Sequence, residues 1–125
     1  MRVLRHARRL ARPGGLFLDL TSIPPAAAIE HDGAVLGRLD QGAFLARAAV
    51  TEAAVDRFVG DGLLVEEARC EVDVLKHFDT GGDMLEDTAG RAYSHVPPEL
   101  TPTVGAIMDP VVERSHCLLR RLRVL

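Results

Sequence analysis

The residues with chemistry to offer are few and scattered. Lys76, His77 and Asp79 cluster near the end of an extended stretch, where a His-x-Asp pair could act as an oriented base. On a strand, residues two apart share a face whatever their type, so the plainer reading is a polar pair at the surface. His31, His95 and His116 are dispersed and have no metal-ligand spacing. Glu66-Glu67 and the trio Asp83, Glu86 and Asp87 read as solvated rather than catalytic. Ser22 and Ser94 lack a glycine-flanked elbow, which leaves a nucleophile reading little support. Cys70 and Cys117 are too few and too far apart for a disulfide framework or a zinc site, and both read as small core residues in a reducing cytosol.

The elements that must position these groups follow from the hydrophobic pattern. Val3, Leu4, Ala7, Leu10 and Ala11 fall at helical spacing with arginines on the other face, and Pro13-Gly14-Gly15 ends that helix at about Arg12. Leu16-Phe17-Leu18 then reads as a strand apolar on both faces, suited to the middle of a covered sheet. Ser22-Ile23-Pro24-Pro25 breaks it, because consecutive prolines offer no amide hydrogens. Asp32-Gly33 between short apolar runs predicts a two-residue hairpin at the edge of the sheet.

Asp40 stands where a helix N-cap would, and Phe44, Leu45, Ala48, Ala49, Val55, Phe58 and Val59 predict a long helix over 41–59, closed by Gly60-Asp61-Gly62. Residues 63–79 read as a long strand with a slip at Glu66-Glu67 and its far end buried through Val74, Leu75 and Phe78. Short helices are expected over 83–93, with Met84, Leu85 and Ala92 inward, and from Pro97-Pro98 onward. Val112 to Arg123 closes the chain as a strand long enough to overrun the sheet.

A chain of 125 residues, 47% hydrophobic and 26% charged, has the size and make-up of one globular domain, here 1–125. No apolar run approaches the ~20 residues that a membrane span needs, and the N-terminus lacks the apolar core of a secretory signal, so a cytoplasmic protein with no membrane partner is expected. The net charge of -3 argues against a general nucleic-acid binder, although arginines load both ends of the sequence. The aromatic residues that could stack bases are scarce, and all four Phe read as core, which makes nucleic acid an unlikely partner.

The order helix, strand, hairpin, long helix, long strand, small helices, strand resembles the C-terminal half of class I S-adenosylmethionine-dependent methyltransferases. Leu10-Ala11-Arg12-Pro13-Gly14-Gly15-Leu16-Phe17-Leu18-Asp19 is similar to that family's turn into its fifth strand, and Gly62-Leu63-Leu64-Val65-Glu66 looks like the entry to its sixth. Residues 63–79 and 111–124 match its closing antiparallel pair. The implied fold class is α/β, a partial Rossmann-like methyltransferase sheet of helix, strand, hairpin, long helix and antiparallel strand pair, with the cofactor-binding half absent. The glycine-rich loop and the acidic ribose-binding residue of the family have no counterpart in this sequence, so no cofactor-binding residue is carried over.

The resemblance therefore implies a methyltransferase-like fragment or split subunit, unable to bind S-adenosylmethionine unless an upstream half is supplied. It also puts the loop after the fifth strand, from Thr21 to Pro25, on the substrate side. Thr21, Ser22 and His77 are accordingly the candidate substrate-side residues. The alternative is a non-enzymatic module that pairs through an exposed sheet edge, giving a homo-oligomer or a complex with a partner chain that covers the sheet.

Overall fold

A computed structural model describes residues 12–125, and the basic helix expected ahead of Pro13 lies outside them. The described chain is mixed α/β. Its strands are β1 (Leu16–Ser22), β2 (Ala28–His31), β3 (Ala34–Arg38), β4 (Leu64–Phe78) and β5 (Val111–Val124). Its α-helices are α1 (Gly42–Gly60), α2 (Gly81–Ala89) and α3 (Thr101–Gly105), the last preceded by a 3-10 turn at Pro98–Leu100.

The sheet is built on β5. Strand order among the described residues is β1-β5-β2-β3, with β4 also paired to β5. β1 runs antiparallel to the last part of β5, from Ser22 opposite Cys117 to Leu16 opposite Arg123. β2 runs antiparallel to its first part, from His31 opposite Val111 to Ala28 opposite Arg114. The side-chain pairs between β4 and β5 run in opposing order, Glu67 with Arg121 and Arg123 and Asp73 with Arg114 and His116, which makes β4 antiparallel as well. The closing strand does not overrun the sheet as its length suggests; three other strands use its edges.

The chain packs as two compact units, neither of them continuous in sequence. The first comprises residues up to Ile23, Ala46–Val72 and Cys117–Leu125. Its core joins Val55 and Phe58 of α1 to Leu64 of β4 and Leu122 and Val124 of β5, with Phe17 of β1 and Val59 and Leu63 packed alongside. Full burial of each such side chain contributes about 1.5–3 kcal/mol. The Gly14 amide donates to the Val124 carbonyl at 2.8 Å and the Val124 amide to the Gly15 carbonyl at 2.9 Å, which ties the Pro-Gly-Gly turn to the end of β5. Gly14 takes the positive φ of 83° that this turn requires.

α1 ends as the glycines predict. The Gly62 amide donates to Val59 and the Leu63 amide to Phe58, a Schellman closure with Gly62 at φ 74°.

β1 corrects the expectation of a strand buried on both faces. Leu16 is 48% exposed, Leu18 74% and Leu20 54%, and β1 stands at the end of the strand order. The physical reason lies in its alternation. Phe17, Asp19 and Thr21 share one face and the leucines the other, and Asp19 in the middle of the run already marks two unlike faces. β4 is corrected in the same sense: Phe78 is buried, but Val74 and Leu75 are exposed. Cys70 is exposed on β4 rather than in a core, whereas Cys117 is buried as expected.

β4 runs as one continuous strand through Glu66-Glu67, where the sequence suggests a slip. Glu66 pairs with the long, exposed side chain of Arg69 three residues on.

The second unit, Pro24–Leu45 with Asp73–His116, has its own core of Ala27, Ile29, Leu39, Phe78, Met84, Val104, Ile107 and Val111. Its hairpin turns at Asp32 (φ 52°) and Gly33 (φ 78°), the two positive-φ positions of the predicted tight turn. β2 joins the hairpin to β5 and leaves β3 outermost. Gln41 is buried, accepting from the Ala27 amide at 2.8 Å and donating to Ser94 Oγ at 2.9 Å, while Asp40 and His95 pair through their backbones. Phe44, expected in a core, is instead 36% exposed.

α2 begins earlier and ends earlier than the sequence suggests. Thr80 is its N-cap, accepting from the Asp83 amide at 3.1 Å, and the helix stops at Ala89, so that Ala92 and Tyr93 lie beyond it. Loss of that cap in Thr80→Ala is expected to cost about 1 kcal/mol, read as a lower urea midpoint. Thr80→Ser, which keeps the hydroxyl, should stay within about 0.5 kcal/mol of the native chain.

Candidate functional site

β1 and β5 together determine the most unusual chemistry in the first unit. Strand alternation puts Asp19 and Thr21 on the inner face of β1, and register sets Asp19 opposite Arg120. A guanidinium there must give up water, which is tolerable only if carboxylates replace it. Arg120 is 1% exposed. Its Nη1 donates to Glu52 Oε2 at 2.8 Å, and its Nη2 reaches Glu66 Oε2 at 2.8 Å and Asp56 Oδ1 at 2.9 Å. Helix α1 supplies Glu52 and Asp56 one turn apart, and β4 supplies Glu66.

The ionisation of these groups follows from their surroundings. Burial, followed by the hydrogen bond and negative charge of Glu52, raises the Asp19 carboxyl from its ordinary value to about 7, against the opposing pull of Arg120 and Thr21. Burial also pushes Glu52 up, but hydrogen bonds with Asp19, Thr21 and Arg120 outweigh it and hold Glu52 below the usual carboxylate range. Glu66 is drawn down to about 2, first by its hydrogen bond from Arg69 and then, against burial, by Arg120. Three buried polar atoms have no partner among the described residues: Asp19 Oδ2, Glu52 Oε1 and Arg120 Nε. A carboxyl that titrates near neutrality can exchange a proton under ordinary conditions.

The three substrate-side candidates fall in different surroundings. Thr21 is buried on the same face of β1 as Asp19, and its hydroxyl helps to hold the Asp19 and Glu52 carboxyls down. Ser22 faces the other way, with Oγ 4.0 Å from Cys117 Sγ on the neighbouring strand. His77 belongs to the second unit, where Lys76, His77, Phe78, Asp83, Glu86 and Asp87 line an open depression of about 490 Å³. Lys76 Nζ lies 3.1 Å from Asp87 and 5.4 Å from the Phe78 ring centre, so it is held at the wall.

Asp87 also pairs with Arg91 at 2.7 Å, and Arg91 reaches the buried Glu113 at 2.8 Å. Glu66 and Asp87, read from the sequence as solvated, are thus structural partners of arginine. Among the described residues no group of three or more His, Cys, Asp or Glu side chains is arranged to hold a metal ion, and no helix is long and apolar enough to cross a membrane.

Sequence reasoning passed over Asp19, Glu52, Asp56 and Arg120. A usable signal existed for two of them. Asp19 interrupts an apolar strand and Arg120 sits between Leu119 and Leu122 in another, and a charge in such a strand calls for a partner of opposite sign. The helical members carry no such mark, because carboxylates on a helix are ordinarily solvated. The chain matches no protein-family model, no curated protein and no solved structure.

Proposed function

We propose that this chain is a methyltransferase-like split subunit, the C-terminal part of a class I fold, which depends on a partner for S-adenosylmethionine. The single observation that supports this reading is β1. It stands at the end of the strand order among the described residues, and it carries Leu16, Leu18 and Leu20 exposed on one face. Such a strand presents unpaired backbone groups and an apolar row, the combination that a further strand and a covering layer would use. The long antiparallel pair β4 and β5, with the strand after Pro-Gly-Gly beside β5, is in keeping with the closing part of that fold. In this reading Thr21, Ser22 and His77 serve the substrate side of the completed enzyme.

The same strand supports a second, non-enzymatic reading, in which two copies of the chain pair through β1. Light scattering on the purified chain is expected to give an associated species, shifted toward monomer by Leu18→Lys. Calorimetry with S-adenosylmethionine is expected to give no tight binding to the chain alone. A compact monomer would count against both readings, and heat of tight cofactor binding would overturn the split-subunit one.

A further inference from the structure

The carboxyl cluster around Arg120 is arranged as a proton store. Four elements face it. β1 contributes Asp19 and the Thr21 hydroxyl, α1 contributes Glu52 and Asp56, β4 contributes Glu66 with Arg69 bound to it, and β5 contributes Arg120. Arg120 spends both of its terminal nitrogens on Glu52, Asp56 and Glu66. Its buried Nε has no partner among the described residues, so Asp19, its register partner, receives no hydrogen bond from it.

Two carboxyl oxygens, Asp19 Oδ2 and Glu52 Oε1, are then buried with no donor among the described residues. A carboxylate can only accept, so two of them turned together out of water repel unless one carries a hydrogen. We infer that Asp19 and Glu52 share a single proton, held between Asp19 Oδ2 and Glu52 Oε1, and that this proton is a pH-sensitive latch fastening β1 to α1.

The direction of the response follows. Asp19 binds its proton more tightly in the folded chain than in the unfolded one, consistent with its rise to about 7. The stability gained is fully present below the ordinary aspartate value and is lost as pH rises through about 7. Above that, two negative carboxylates face each other and β1 is the element that loosens.

The test is a carbon-13 NMR titration of the side-chain carboxyls of the full chain between pH 3 and 9, alongside urea midpoints over pH 5 to 9. One aspartate is expected to titrate near pH 7 and to vanish from the spectrum in Asp19→Asn. The native urea midpoint is expected to fall across the same interval, and Asp19→Asn, which keeps a donor between the two groups, to flatten that fall. Complete titration of every aspartate by pH 5.5 would overturn the inference. So would a midpoint slope unchanged by Asp19→Asn. Because the native titration alone can fail, the test stands even if the variant does not fold.

Discussion

Arg120→Met is expected to lower stability by about 3–5 kcal/mol, the cost of removing one partner from a buried charge network. The methionine fills much of the arginine's length, so the loss is not mainly a cavity. It comes chiefly from Glu52, left mostly buried with its cation gone, while Glu66 keeps Arg69. Urea denaturation followed by circular dichroism measures it. Arg120→Lys should fall between the two, since an ammonium cannot span Glu52, Asp56 and Glu66 from one planar fork.

Replacing Glu52 as well, in a double variant Arg120→Met with Glu52→Met, should recover much of the loss, because the least exposed of the three carboxylates no longer stands unpaired, while Asp56 is solvated and Glu66 keeps Arg69. A single Arg120→Met variant within about 1 kcal/mol of the native chain would show that the network does not carry this strand pair. Acid acts on the same network from the other side. Glu66 is held down at about 2 by Arg69 and Arg120, so its stabilisation is present above the ordinary glutamate value and is lost as pH falls toward 2.

The second large effect belongs to a glycine. Gly81 opens α2, its amide donating to the Ile107 carbonyl at 2.9 Å. A Cβ at this position would stand 1.7 Å from the Val104 carbonyl oxygen, 2.7 Å from the Val104 carbonyl carbon and 3.2 Å from the Ile107 Cβ. The obstruction is backbone and cannot swing aside. Gly81→Ala is therefore expected to cost about 3 kcal/mol or more, at the upper end of overpacking penalties. Gly82→Ala makes the control, because its nearest neighbour would be Thr80 Oγ1 at 3.7 Å. It should be neutral or stabilising by up to about 1 kcal/mol, since alanine is the better helix former. Equal effects at the two positions would remove close approach as the reason for Gly81.

Much of the architecture was legible from residues with a local mechanism. Pro13-Gly14-Gly15, Asp32-Gly33 and Gly60-Asp61-Gly62 each demand one backbone geometry, and each turn sits where those residues put it. The long helix and the two long strands followed from period alone. Burial was harder to read, because it depends on which face another element covers. Leu16 and Phe17 are equally apolar, yet α1 lies on the side of Phe17 only. Val74, Leu75 and Phe44 fail for the same reason. The carboxyl cluster was less legible still. Its members come from four elements separated by up to about a hundred residues, and no spacing rule joins Asp19 to Glu52, Glu66 and Arg120. Only the strand register and the turn of the helix bring them to one point.

The place of β5 in the strand order has a consequence for how the chain reaches its native state. Apart from the β2–β3 hairpin, the strand pairings named by register wait for residues 111–124, and β1 must find a partner 95 residues away at Ser22 and Cys117. A chain emerging from the ribosome can close its hairpin and wind α1 early, but the sheet cannot begin until its last strand is made. Such long-range closure is slow, since loop entropy is lost before any pairing rewards it. Until β5 is made, β1 has both backbone edges open beside its exposed leucines, so its exposure to misassociation is greatest before β5 pairs with it.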